Sequence, residues 1–220
     1  MLKGYSEDNS KELLNYSINA IRAQGVFAAL SLAGFITVGK DFLKLWVPSQ
    51  KTNELYLIIV IGLVSCSMNA ISKPMGAVFS LVNKLKANAL INILVGVANF
   101  VSMLILVYFT GLGVYGVAIT SAVPVIIYSL TYIPIFSAKY INIKVGIWYR
   151  EIIRFFVLVC WLVALFSFFG MFLSPNTWLE LLGEIAVLII AGAIFIAFAY
   201  IGTEQRKHLI NSVQVILCKR

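Results

Sequence analysis

Long uncharged apolar runs alternate along this chain with short clusters of charge. Residues 87–138 contain no charged side chain at all, and the runs 55–64 and 185–199 are apolar on every side of a helical wheel. A helix that crosses a bilayer needs about 20 mostly apolar residues, because the hydrocarbon core is roughly 30 Å thick and each residue rises about 1.5 Å. Six segments meet that length. The first spans 18–38, and the second spans 55–83, interrupted by Lys73 and Pro74. The run 87–138 is too long for one span and fits two, helices three and four, joined by a tight turn at Thr110-Gly111-Leu112-Gly113. The fifth spans 148–173 and carries Arg154, and the sixth spans 178–202, after the breaker Ser174-Pro175-Asn176. A transmembrane β-barrel would instead alternate apolar and polar residues over strands of about ten positions, and no such alternation occurs. The expected fold is therefore an all-α, polytopic transmembrane bundle. Its parts are a cytoplasmic polar segment at 1–17, a six-helix membrane domain at 18–202 and a cytoplasmic tail at 203–220.

Composition agrees with this reading: 61% of the residues are apolar and 12% charged, with a mean hydropathy of +0.95. A soluble domain needs about a quarter of its residues charged to cover its surface. The basic residues also predict orientation, since cytoplasmic loops are enriched in Lys and Arg. With six spans, one side receives Lys3, Lys11, Arg22, Lys84, Lys86, Lys139, Lys144, Arg150, Arg206, Lys207, Lys219 and Arg220; the other receives only Lys40, Lys44 and Lys51. Both termini are thus expected in the cytoplasm, in a multi-pass protein of the cytoplasmic (inner) membrane. The net charge of +8 is divided among short loops, which argues for topology and against nucleic acid as a partner.

The first 22 residues are polar and of mixed charge, unlike a cleavable signal peptide, so the first helix is expected to stay. Cys66, Cys160 and Cys218 fall in two spans and the tail, and read as packing residues outside any disulfide framework. His208, the only histidine, sits beside Arg206 and Lys207 and reads as a solvated interface residue. No phosphate-binding glycine loop, nucleophile elbow or zinc spacing occurs, so enzymatic chemistry, a metal site and a cofactor are not expected. Nearly all the acids lie at helix ends or in tails. Glu180 and Glu184, four residues apart on one face, read as a wetted helix end in preference to an ion site.

Polar residues inside the spans are more informative, because polar atoms in hydrocarbon are costly and face partner helices or a wet cavity. On the third helix Asn88, Asn92, Gly96, Asn99 and Ser102 fall within an arc of roughly 120°. On the second, Ser65, Asn69, Ser72, Gly76, Ser80 and Asn83 fall within roughly 80°, with Lys73 at the margin. These stripes suit either helix association or the lining of a hydrophilic passage. At Lys73 and Pro74 the proline frees a backbone carbonyl one turn back, and a cation beside such a helix break can meet an anion; a snorkelling lysine is the plainer alternative. Arg154, near the start of the fifth helix, reads as snorkelling to the interface. Pro124 marks a second candidate break.

Three stretches resemble the polysaccharide flippases of the multidrug/oligosaccharidyl-lipid/polysaccharide export superfamily. They are Gly39-Lys40-Asp41-Phe42-Leu43-Lys44-Leu45-Trp46, Val78-Phe79-Ser80-Leu81-Val82-Asn83-Lys84-Leu85-Lys86, and Gly111-Leu112-Gly113-Val114-Tyr115-Gly116-Val117-Ala118-Ile119. The resemblance implies movement of an undecaprenyl-diphosphate-linked oligosaccharide across the cytoplasmic membrane by alternating access, for surface polysaccharide such as O-antigen of lipopolysaccharide. It implies a wet cavity for sugars, cations for the diphosphate and a lateral opening for the lipid tail. Lys73, Asn69, Asn92 and Asn99 are the cavity candidates, with Arg22 and Arg154 nearer the cytoplasmic mouth.

Members of that family have twelve to fourteen helices, and this chain resembles a C-terminal portion. The expected partners are membrane lipid, the lipid-linked oligosaccharide, and a missing N-terminal lobe or a second copy. The alternatives are a non-transporting membrane subunit, an inactive remnant, or another exporter of the superfamily. The last would be expected to carry a buried carboxylate for ion coupling, and the sequence places none in mid-span.

Overall fold

The computed structural model describes residues 7–81, 85–111, 113–171, 175 and 177–196. The tail at 203–220, with His208 and Cys218, lies outside the described residues, as do Asn83, Ser174 and Asn176. Every regular element described is helical: α1 (Glu7–Trp46), α2 (Thr52–Leu81), α3 (Leu85–Thr110), α4 (Gly113–Ile127), α5 (Ile133–Tyr140), α6 (Gly146–Gly170) and α7 (Trp178–Phe195). One π-helical turn, Tyr128–Tyr132, joins α4 to α5, so these three make a single fourth span. Six helical segments are long and apolar enough to cross a membrane.

Local chemistry accounts for the turns. Gly111 and Gly113 adopt φ of +62° and +52°, the left-handed region that side chains disfavour, and so fold α3 back on α4. α5 ends with Asn142 at φ +56°. There the Ile143 amide donates to the Ala138 carbonyl at 3.0 Å and the Asn142 amide to the Lys139 carbonyl at 3.4 Å, a Schellman closure. Thr177 caps α7, its hydroxyl accepting from the Glu180 amide at 3.3 Å.

Two elements differ from the sequence-based expectation. α1 is 40 residues long and begins at Glu7, within the segment expected to be a polar extension, because no proline interrupts it before Trp46. The break expected at Pro74 is also not found. α2 runs through it as one helix, with the Pro74 ring buried and Ile71, Met75 and Val78 packed into the core on both sides of it. α4 likewise continues through Pro124, and regular α-geometry gives way only at Tyr128.

α1, α2 and α6 form the centre of the bundle, α7 lies against α1 and α6, α4 and α5 lie against α2, and α3 packs mainly on α4. The core between the central helices is built from Ala29, Leu32, Met68, Ile71, Trp148, Phe155 and Leu162. α1 and α6 run in the same direction, since Phe155 sits beside Gly25 and Phe166 near the level of Leu30. α7 runs against both: Gly192 meets Leu30 and Phe166, while Trp178 meets Phe42 edge-on at 6.0 Å. No residue in 88–109 is buried, which makes α3 the outermost helix, with Leu90, Phe100, Tyr108 and Phe109 all exposed.

Candidate functional site

α1 and α6 are joined near the N-terminal end of α6 by an ion cluster. Glu151, one and a half turns into α6, is only 4% exposed. Its carboxylate accepts from Nε and an Nη of Arg22, both at 2.9 Å, in a two-pronged pairing across 129 positions of sequence. The Nη1 of Arg154, three residues further along α6, donates to Oε1 at 2.8 Å. Planar guanidinium forks match carboxylate geometry and give the stronger kind of charged hydrogen bond. Two cations thus meet one anion among the described residues. Arg22 and Arg154 are 33% and 47% exposed, so the cationic side is open at the surface of the bundle while the carboxylate is enclosed.

The other residues singled out from the sequence are spread more widely. Lys73 and Asn69 are exposed and share one face of α2 with Ser80. Among the described residues no acidic group pairs with Lys73. Ser72, from the same stripe, turns inward: its hydroxyl donates to the Met68 carbonyl at 2.7 Å and lies 3.4 Å from that of Ser129. On α3, Asn88 accepts from the Tyr128 hydroxyl at 2.7 Å, which ties the outer helix to the π-turn. Asn92 is exposed and Asn99 half-buried. Pro74 is enclosed in α2, and Pro124 stands one turn before the π-turn. The structure therefore brings Arg22 and Arg154 together, and leaves Lys73, Asn69 and the α3 asparagines apart from them in contact terms.

Glu151 is not among the candidates expected from the sequence, where nearly all the acids lie at helix ends or in tails. Its spacing to Arg154 was visible as an i, i+3 pair, but its pairing with Arg22 depends on how α1 and α6 dock. Glu184 corrects that reading more sharply. It is 5% exposed on α7 and packs beside Gly170 of α6, whereas Glu180 is exposed, so only Glu180 fits a wetted helix end.

A groove of about 510 Å³ opens between α1, α6 and α7, lined by Phe27, Gly34, Phe35, Phe42, Phe166 and Leu188 among others. Among the described residues no cluster of His, Cys, Asp or Glu has the grouping to hold a metal ion.

No family model matches the chain, and no solved structure matches it. It is similar to a protein described as "Uncharacterized membrane protein EpsK" from Bacillus subtilis (strain 168), at 23% identity over 211 residues. That match covers 96% of this chain and 41% of the relative, so the chain spans about two fifths of the length of the protein it resembles. With six apolar helices and a membrane protein as relative, the chain is a multi-pass helical membrane protein.

Proposed function

We propose that this chain forms part of a transporter that moves an oligosaccharide linked to undecaprenyl diphosphate across the cytoplasmic membrane, for surface polysaccharide assembly. The observation that carries the reading is the convergence of Arg22 and Arg154 on the single carboxylate of Glu151. Two guanidiniums gathered on one carboxylate suit a phosphate-bearing cargo, because a second anion can take up guanidinium donors without stripping Glu151 of both partners. The resemblance in the three stretches named above adds to this. With both termini in the cytoplasm, the Arg22 end of the bundle faces the side on which such a cargo is loaded. No covalent chemistry is asked of this chain, and the exposed flank of α3 leaves a surface for a further lobe or a second copy.

The test is replacement in the complete gene context with quantitation of surface polysaccharide. Arg154→Ala is expected to lower export roughly tenfold at unchanged protein level, with Arg154→Lys restoring part of it, in line with the loss of a charged hydrogen bond to phosphate. Lys73→Ala tests whether the exposed face of α2 belongs to the same passage. Undiminished export in Arg154→Ala would overturn the reading. It would favour a non-transporting membrane subunit, for which the uncovered α3 is the supporting observation.

A further inference from the structure

We propose that Glu184 is a proton-binding site: its buried carboxyl holds a proton while α7 is seated on α6, and gives it to water when the two helices part. Glu184 is nineteen-twentieths enclosed, its Oε1 lies 3.7 Å from where a Cβ on Gly170 would stand, and its Oε2 is fully buried with no hydrogen-bond partner. The contrast with Glu151 is internal to the molecule. Both carboxyl groups are equally enclosed, but Glu151 is met by two guanidiniums and Glu184 by none. A carboxylate without a counter-charge or donors in an apolar helical interior is a heavy cost, and a bound proton removes it.

The charged surroundings agree. α1 presents at this level Asp41, the charge that acts on Glu184, and Lys44, which is committed to Asp41 at 2.6 Å. Lys40 lies over the Tyr56 ring at 5.1 Å, away from the carboxyl. α6 carries no titratable side chain in 161–170, and α7 contributes only Glu180, one turn back and exposed. Among the described residues no cation pairs with Glu184, and Asp41 sets a second acid near it. The ligand is the proton itself, since among the described residues no three His, Cys, Asp or Glu side chains are grouped to hold a metal ion. In the exchange step the carboxyl O–H bond breaks, the proton passes to a water entering at the Gly170 end, and the electron pair stays on the carboxylate. That carboxylate would return unpaired to an apolar seat, so reseating α7 requires the proton to return.

The inference does not depend on the cargo proposed above. Its test uses dicyclohexylcarbodiimide on the intact chain in lipid nanodiscs. The reagent adds across its C=N bond only to a protonated carboxyl, and the resulting O-acylisourea rearranges to a stable N-acylurea that can be mapped by mass spectrometry. Glu184 is expected to be labelled roughly tenfold more than Glu151, whose two oxygens are occupied by guanidinium donors. Labelling should fall as the pH is raised and vanish in Glu184→Gln. Since the wild-type protein gives the main readout, a poorly folding variant does not weaken the test. An unlabelled Glu184, or equal labelling of Glu151 and Glu184, overturns the proposal while leaving the export experiment intact.

Discussion

Two guanidiniums sharing one enclosed carboxylate make an uneven partnership, and the unevenness predicts an order of mutational cost. Glu151→Gln leaves Arg22 and Arg154 side by side without their anion. The expected loss is about 2–3 kcal/mol, below the roughly 3–5 kcal/mol of a fully buried broken pair, because both cations are partly exposed at the surface of the bundle. Arg22→Ala should cost less, since Arg154 remains on Glu151, and Arg154→Ala least, since Arg22 holds both carboxylate oxygens. Thermal unfolding in detergent gives the ranking, and an Arg154→Ala as damaging as Glu151→Gln would contradict it. Arg22 and Arg154 could be picked out in the sequence because cations are rare inside apolar runs. Their partner could not, because Arg22 and Glu151 are 129 positions apart and only docking of α1 on α6 joins them. Glu184 was misjudged for a related reason: its periodicity places it on one face with Glu180, but burial depends on the neighbour that covers that face.

The helices themselves were largely readable, with the exception of where proline acts. Gly111 and Gly113 marked the α3–α4 turn because their left-handed backbone excludes most side chains, and Gly113→Ala is expected to cost about 1–2 kcal/mol. Pro74 and Pro124 marked expected breaks, yet both sit inside continuous helices. The irregularity falls instead at Tyr128–Tyr132, just ahead of Pro134. Pro134 has no amide hydrogen to give to the Leu130 carbonyl one turn earlier, and the Tyr149 hydroxyl of α6 donates to that carbonyl at 2.9 Å. A tertiary contact thus serves a group that the local sequence leaves short of a donor. Tyr149→Phe is expected to destabilise the protein by about 1 kcal/mol, and much less on a Pro134→Ala background where the backbone donor is restored. Equal effects on both backgrounds would show that the bond has no link to the proline.

The order of six spans was legible from length and hydropathy alone, and the alternating directions of α1, α6 and α7 agree with it. An even number of crossings puts the start of α1 and the end of α7 on one side. Reporter fusions at residue 12 and after residue 196 are therefore expected to give the same cytoplasmic signal, and a fusion in the Val47–Lys51 turn the opposite one. Which helices lie at the centre was not legible, because α3 is as apolar as the helices that are buried; hydropathy reports the solvent a helix prefers and not whether lipid or protein supplies it. The length of α1 has a mechanical consequence. At about 1.5 Å per residue its 40 residues reach roughly 60 Å, twice the hydrocarbon thickness. A straight rod pivoting at its midpoint inside the bilayer sweeps its tip sideways by roughly 5 Å for a tilt of about 10°, well within the range such helices adopt. α1 is in that sense a lever whose fulcrum is the packed middle of the bundle, so a change in seating at the Glu184 end is passed to the other end in the opposite direction.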